Sequence, residues 1–161
     1  MSRTVPAAGL YAITDSTRLA NTEIEAAVTQ AIRGGARIIQ YREKHLRGQA
    51  LDDTAGKLAV LCSRHGVPLI INDDIDLAMR CKAAGVHLGK TDQPLAQARA
   101  QLGSNAIIGV SCYDSVERAL DAAAEGADYV AFGRFFPSAS KPDATHAEPA
   151  VLTRAREELT I

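Results

Sequence analysis

Amphipathic stretches and short apolar runs alternate along the chain. Ile24, Ala27, Val28, Ala31 and Ile32 fall at the i, i+3, i+4, i+7, i+8 spacing of one helix face. Val116, Ala119, Leu120, Ala123 and Ala124 repeat those offsets, and Leu51, Ala55, Leu58, Ala59 and Cys62 follow them closely. Asp114 with Glu117 reads as a capping box, and Pro94 suits a first helical position. Between these stretches lie apolar runs at residues 10–14, 36–40, 67–72, 86–89, 106–111 and 127–133. A run that does not alternate suits a strand covered on both faces, as in a parallel sheet. Gly34-Gly35, Gly66, Gly85, Gly103 and Gly126 precede these runs, where a helix end favours a residue free to turn left-handed. A last helix is expected at about residues 149–159.

The pattern amounts to about six βα units, which implies right-handed crossovers and a parallel sheet. An open doubly wound sheet and a closed barrel both satisfy it. Length alone favours the open sheet, since 161 residues fall short of the ~200 that barrels usually need. No GxGxxG or GxxxxGK[ST] follows the first strand, so the common nucleotide fingerprints are missing. The least regular stretch is 137–149, a long loop after the sixth strand.

Composition narrows the function more than the fold. With 18 Lys+Arg against 19 Asp+Glu the chain has no basic footprint for nucleic acid or an anionic membrane. No apolar run approaches the ~20 residues of a membrane span, and the N-terminus lacks the apolar core of a signal peptide. Cys62, Cys81 and Cys112 have no CxxC spacing and read as reduced thiols of a cytoplasmic protein.

In either architecture ligands bind at the carboxyl ends of the strands. There the sequence places Thr14-Asp15, then Gln40 to Lys44, then Asn72-Asp73-Asp74, then Lys90-Thr91-Asp92, then Ser111, then Arg134 and Ser138 to Lys141. Arg42, Lys44 and Lys141 offer charge-assisted bonds to phosphate oxygens. Asp73 and Asp92, about one βα unit apart, offer hard oxygen ligands, and magnesium often takes only one or two carboxylates from the protein. The expected chemistry is a phosphorylated substrate handled with a divalent metal.

Each feature also has a plainer role. Asp73 or Asp74 could cap the following helix, and Arg42 to Lys44 could be an exposed charge run. Ser111 could be a satisfied strand-end hydroxyl and Cys112 a buried structural thiol. His87 reads as a hydrogen-bonded core residue, and His45, His65 and His146 read as loop or surface positions without zinc-ligand spacing. No Ser-His or Cys-His pair is expected.

Taken in order, Gly9 to Asp15, Gln40 to Lys44, Ile71-Asn72-Asp73, Gly85 to Gly89, Asp92, Ile108 to Ser111, Gly126 to Gly133 and Phe136 to Lys141 resemble the thiamine-phosphate synthase family. The resemblance implies an α/β protein of the (β/α)8 TIM-barrel type, here about six βα units in one incomplete domain over residues 1–161. It implies coupling of a hydroxymethylpyrimidine diphosphate to a thiazole phosphate, by a dissociative, magnesium-assisted displacement of diphosphate. It also implies that Gln40, Arg42 and Lys44 hold the pyrimidine diphosphate and that Asn72 bonds the pyrimidine. Asp73 and Asp92 would bind Mg2+, and Ser111 would meet the substrate where diphosphate departs. Ser138 and Ser140 would cradle the thiazole phosphate, with Lys141 reaching the diphosphate; Ser111 and Lys141 are the expected catalytic pair.

The sequence departs from the family pattern in four places. Ser138-Ala139-Ser140-Lys141 stands for Thr-x-Thr-Lys, Lys90 for a commoner Gln, and Asp74 for a usual Arg. The family continues through two more strands and their glycine-rich loops, so a shortened form, or completion by another chain through open barrel edges, is expected. Little synthase activity is then expected of the 161-residue chain, and full turnover in a thiamine-phosphate formation assay is the contrary result. The alternatives are a barrel relative that tautomerises thiazole phosphate or acts in regulation, and an inactive phosphate-binding domain. Expected partners are small phosphorylated substrates, with neither nucleic acid nor membrane.

Overall fold

A computed structural model describes residues 5–137 and 145–161. Six strands and six helices alternate: β1 (Leu10–Ile13), α1 (Ile24–Arg33), β2 (Ala36–Tyr41), α2 (Gly48–Arg64), β3 (Leu69–Asn72), α3 (Ile75–Cys81), β4 (Gly85–Leu88), α4 (Leu95–Leu102), β5 (Ile107–Tyr113), α5 (Val116–Ala124), β6 (Tyr129–Phe132) and α6 (Ala150–Glu158). All neighbouring strands are parallel, and the sheet order β1-β2-β3-β4-β5-β6 follows the chain. A doubly wound sheet reverses its strand order part way along; this one never does, so the barrel-type architecture holds and the open sheet is ruled out.

The two faces of the sheet are unlike. Ile39, Tyr41 and Ile71 pack outward with Val28, Leu58 and Cys62 of the first two helices. Further round, Val86, Leu88, Ile108 and Cys112 pack with Leu95, Ala98 and Ala119. Most of these side chains are almost wholly buried, each contributing about 1.5–3 kcal/mol where it is a large aliphatic. The inward face carries a small cluster of Ile38, Ile70 and Ile107, with Tyr11 and Tyr129 above it. The sheet curls far enough that the hydroxyls of Tyr11 on β1 and Tyr129 on β6 lie 2.7 Å apart. The six βα units thus form an arc of barrel, its interior lined by side chains.

Gly109 makes that crossing possible. A Cβ there would lie 1.9 Å from the Tyr129 ring. Gly109→Ala is expected to cost about 1–3 kcal/mol, because an aromatic ring packed in the interior has nowhere to retreat; urea unfolding checks this.

Three local expectations shift. Gly66 (φ +66) and Gly126 (φ +92) do take left-handed backbone after a helix, but Gly85 does not. Lys82 caps α3 with φ +55, and Gly85 opens β4, where a Cβ would collide with the Ile107 carbonyl. At α5 the cap is Ser115, whose hydroxyl accepts from Arg118 N at 3.1 Å; with Arg118 three residues on in place of a Glu, this is a simple N-cap one residue later than Asp114 and not a capping box. Pro94 is the N-cap of α4, one residue before the expected first helical position. Cys62 and Cys112 are buried free thiols, and burial pushes each up to about 11, which suits a structural role. Among the described residues no helix is long and apolar enough to cross a membrane.

Candidate active site

The parallel ladder puts every strand's C-terminal end on one side. β2 continues into Arg42 and Lys44. Arg42 is pinned to β1, its N–H donating to Thr14 Oγ1 at 2.9 Å and its carbonyl accepting from the same hydroxyl at 3.3 Å. The arginine also lies near enough to Asp15 to draw that carboxyl down, after the larger effect of its bonds from Thr17. Lys44 Nζ donates to Asp73 Oδ2 at 2.9 Å.

β3 ends in Asn72, and the two carboxylates that follow divide their work. Asp74 is the N-cap of α3 and accepts from Leu77 N at 2.8 Å. Asp73 is thereby released from capping. Its N–H donates to the His87 carbonyl at 2.9 Å, and its backbone sits at φ +65. Left-handed backbone is costly for most residues and tolerated by Asp and Asn, whose short side chains bond locally.

Asp73 and Asp92 share a hydrogen bond. Asp92 is anchored in the turn after β4, where Gly89 N–H donates to its Oδ2. Burial works to raise the Asp73 carboxyl, but bonds from Asp92, Lys44 and Asn72 outweigh it and hold the group below the ordinary aspartate range. Asp92 is raised, first by burial and then by its neighbour Asp73. Two adjacent carboxylates cannot both ionise cheaply, and Asp92 is the one of the pair pushed toward its protonated form. Among the described residues no group of three or more His, Cys, Asp and Glu could hold a metal. A hard cation here would meet two protein carboxylates and draw its other oxygens from substrate and water.

Ser111 stands at the end of β5, and its carbonyl accepts from Arg118 Nε at 2.9 Å. Its hydroxyl lies 2.8 Å from His87 Nε2. This corrects the expectation that no Ser-His pair exists. The signal was present in the strand parity: His87 is in register with Gly109, and Ser111 lies two residues on, on the same face. The pair is not a hydrolase triad, because His87 Nδ1 faces the Tyr129 hydroxyl at 3.0 Å instead of a carboxylate.

Gln40 lies deeper than the rest of the expected set. It is 3% exposed and lies inside the arc, its Nε2 donating to Tyr11 Oη at 2.9 Å. The inward parity that carries Ile38 into the interior cluster carries Gln40 there too. Ser138, Ser140 and Lys141 lie outside the described residues. The flanks of that loop are fixed beside β6: Arg134 N–H donates to Thr145 O at 3.0 Å, and Ala147 N–H to Arg134 O at 2.9 Å. A cavity of about 710 Å³ opens at the opposite end of the strands, lined by Gly66, Pro68, Ala84 and Ile107 among others, and contains none of the expected site residues.

Comparison with known proteins follows the same line. The family model described as thiamine monophosphate synthase matches residues 10–161. A thiamine-phosphate synthase of Thioalkalivibrio sulfidiphilus is 48% identical over 153 residues, covering 95% of this chain and 72% of that protein. One from Methylococcus capsulatus is 51% identical over 158 residues, covering 97% of this chain and 69% of its own. Among solved structures, the thiamine phosphate pyrophosphorylase from Pyrococcus furiosus superposes with a TM-score of 0.80 at 31% identity, over 94% of this chain and 70% of that one.

Proposed function

Because the chain belongs to the thiamine monophosphate synthase family, we propose that the mouth at the ends of β2 to β6 is the coupling site. A hydroxymethylpyrimidine diphosphate binds there beside a thiazole phosphate. The bond from the pyrimidine methylene to the diphosphate oxygen breaks, its electron pair leaving with the diphosphate. The thiazole nitrogen then donates its lone pair to the methylene carbon, giving thiamine phosphate. The observation that carries this reading is the contact of Lys44 with Asp73 and of Asp73 with Asp92, a cation and two carboxylates from three strand ends.

The residues divide by chemistry. Asp73 and Asp92 would hold Mg2+, which supplies charge neutralisation for a departing diphosphate. Arg42 and Lys44 give charge-assisted bonds to diphosphate oxygens, and Asn72 orients the pyrimidine. Ser111 meets the substrate where the leaving oxygen departs. By family resemblance Ser138 and Ser140 take the thiazole phosphate and Lys141 the diphosphate. Gln40 would hold the pyrimidine diphosphate from within the arc, where its amide also donates to Tyr11 Oη. Heterolysis with preorganised charge needs no covalent nucleophile. A tautomerase of thiazole phosphate has no use for the carboxylate pair, so that alternative is not favoured.

The free thiols Cys62, Cys81 and Cys112 support a reducing, cytoplasmic setting. β1 and β6 each pair on one side only among the described residues, which supports self-association along those edges; size-exclusion chromatography reads the difference between monomer and dimer.

Calorimetric titration with the pyrimidine diphosphate tests the function. Binding is expected to weaken at least about tenfold when Mg2+ is removed by chelator, the scale seen when a metal site is disturbed. Equal affinity with and without metal contradicts the reading.

A further inference from the structure

A chain of hydrogen bonds crosses the interior and ends at the mouth. Gln40 Nε2 donates to Tyr11 Oη at 2.9 Å, and Tyr11 Oη lies 2.7 Å from Tyr129 Oη. Tyr129 Oη lies 3.0 Å from His87 Nδ1, and His87 Nε2 lies 2.8 Å from Ser111 Oγ. Five strands contribute one side chain each. Gln40 and His87 are buried, and the His87 ring stacks on Tyr129 with centroids 5.6 Å apart.

Each hydroxyl carries one hydrogen and a neutral imidazole carries one N–H, so the bond directions are linked. The Gln40 amide donates to Tyr11, which leaves two polarities for the rest. In one, Tyr11 donates to Tyr129, Tyr129 donates to His87 Nδ1, and His87 Nε2–H donates to Ser111. Every hydrogen inside the chain then has an acceptor, and the Ser111 hydrogen is left to face the mouth. In the other, Ser111 donates to Nε2, Nδ1–H donates to Tyr129, and Tyr129 donates to Tyr11. Tyr11 then accepts from both of its partners, and its own hydrogen goes to neither. The Tyr11 hydroxyl sits against the interior cluster, where burial pushes it up, so a hydrogen left there without an acceptor is costly and the first polarity prevails.

We propose that His87 is a positioning residue: held as the neutral Nε2–H tautomer, it donates to Ser111 and fixes the serine hydroxyl as a hydrogen-bond donor toward the departing diphosphate. This is the reverse of a serine nucleophile, where the imidazole takes the hydroxyl hydrogen. The role at the diphosphate rests on the synthase reading, whereas the tautomer does not.

Nitrogen-15 NMR of the labelled protein reads the tautomer directly, with the His87 signals assigned by their loss in His87→Gln. The expected result near neutral pH is hydrogen on Nε2 alone; hydrogen on Nδ1, or on both nitrogens, overturns the proposal. Tyr129→Phe keeps the ring over Gly109 and removes the hydroxyl, so His87 is expected to divide between both tautomers. An unchanged tautomer in that variant overturns the claim that the chain sets it. Titration with inorganic diphosphate and Mg2+ completes the test. Tyr129→Phe is expected to weaken binding about fivefold in the parent and to have no effect in a Ser111→Ala background. Equal weakening in both backgrounds overturns the action through Ser111. Absence of diphosphate binding by the parent overturns the synthase reading and the role at the diphosphate, while the tautomer still decides the direction of the chain.

Discussion

Asp128→Ala is expected to lower the unfolding free energy by about 3–5 kcal/mol, the cost of breaking a buried ion pair from one side. The Asp128 side chain is only 5% exposed, and Arg99 Nη2 approaches it at 2.7 Å with 21% exposure of its own. Asp128 Oδ2 also accepts from Ile108 N at 2.8 Å. Arg99 reaches further, to the carbonyls of Ala106 at 2.6 Å and Gly126 at 3.0 Å. One carboxylate thus joins α4 to the start of β5 and the turn before β6. Its removal leaves the guanidinium with carbonyl partners but no counter-charge and orphans the Ile108 N–H, both losses falling at the end of the strands away from the mouth. Urea unfolding of Asp128→Ala, with the exposed Asp121→Ala as control, measures the effect. The control is expected to stay within about 0.5 kcal/mol of the parent. A loss below about 1 kcal/mol for Asp128→Ala matches a solvent-screened pair instead and contradicts the clamp.

The second large effect separates two neighbouring aspartates. Asp73→Asn is expected to weaken Mg2+-dependent binding of the pyrimidine diphosphate by about a hundredfold or more. Loss of an outer partner to a metal ligand already costs ~10–100-fold, and this variant removes a ligand's charge outright. Asparagine tolerates the φ of +65 found there, so unfolding is not the expected cause. Asp74→Ala is expected to do the reverse, losing about 1 kcal/mol of stability with its cap on Leu77 N while binding stays near the parent's. Titration calorimetry and urea unfolding of both variants give the four numbers needed. Weak binding in Asp74→Ala together with unchanged binding in Asp73→Asn exchanges the roles and contradicts the site.

The sequence discloses periodicity well and register poorly. Helix faces such as Ile24 to Ile32 and the non-alternating strand runs are visible because burial demands apolar side chains at fixed spacing. The strand-end rule then places Lys44, Asp73 and Asp92 on one side, and their contacts agree with it. Resemblance to a family, not length, selects the barrel; length points the other way. What escapes is whatever depends on a neighbouring strand. Gly85 stands where a cap glycine is expected, but the β5 backbone pressed against it explains it, and that closeness is invisible along one strand. Gln40 reads as a rim residue until parity carries it inside beside Tyr11. His87 and Ser111 are 24 positions apart and meet only once β4 and β5 are set in register. Two helix starts are displaced by one residue, because Asp114-Ser115 and Pro94-Leu95 offer adjacent positions that only backbone geometry distinguishes.

The convergence of separate strand ends on one diphosphate is open to direct inspection. Crystals grown with the pyrimidine diphosphate and Mn2+ in place of Mg2+ give an anomalous peak for the metal and density for the two phosphates. The expected peak lies between the carboxylates of Asp73 and Asp92, with the phosphates reaching toward Arg42 and Lys44. A peak elsewhere, or a diphosphate seated in the cavity beside Gly66 and Ile107 at the far end of the strands, contradicts the account.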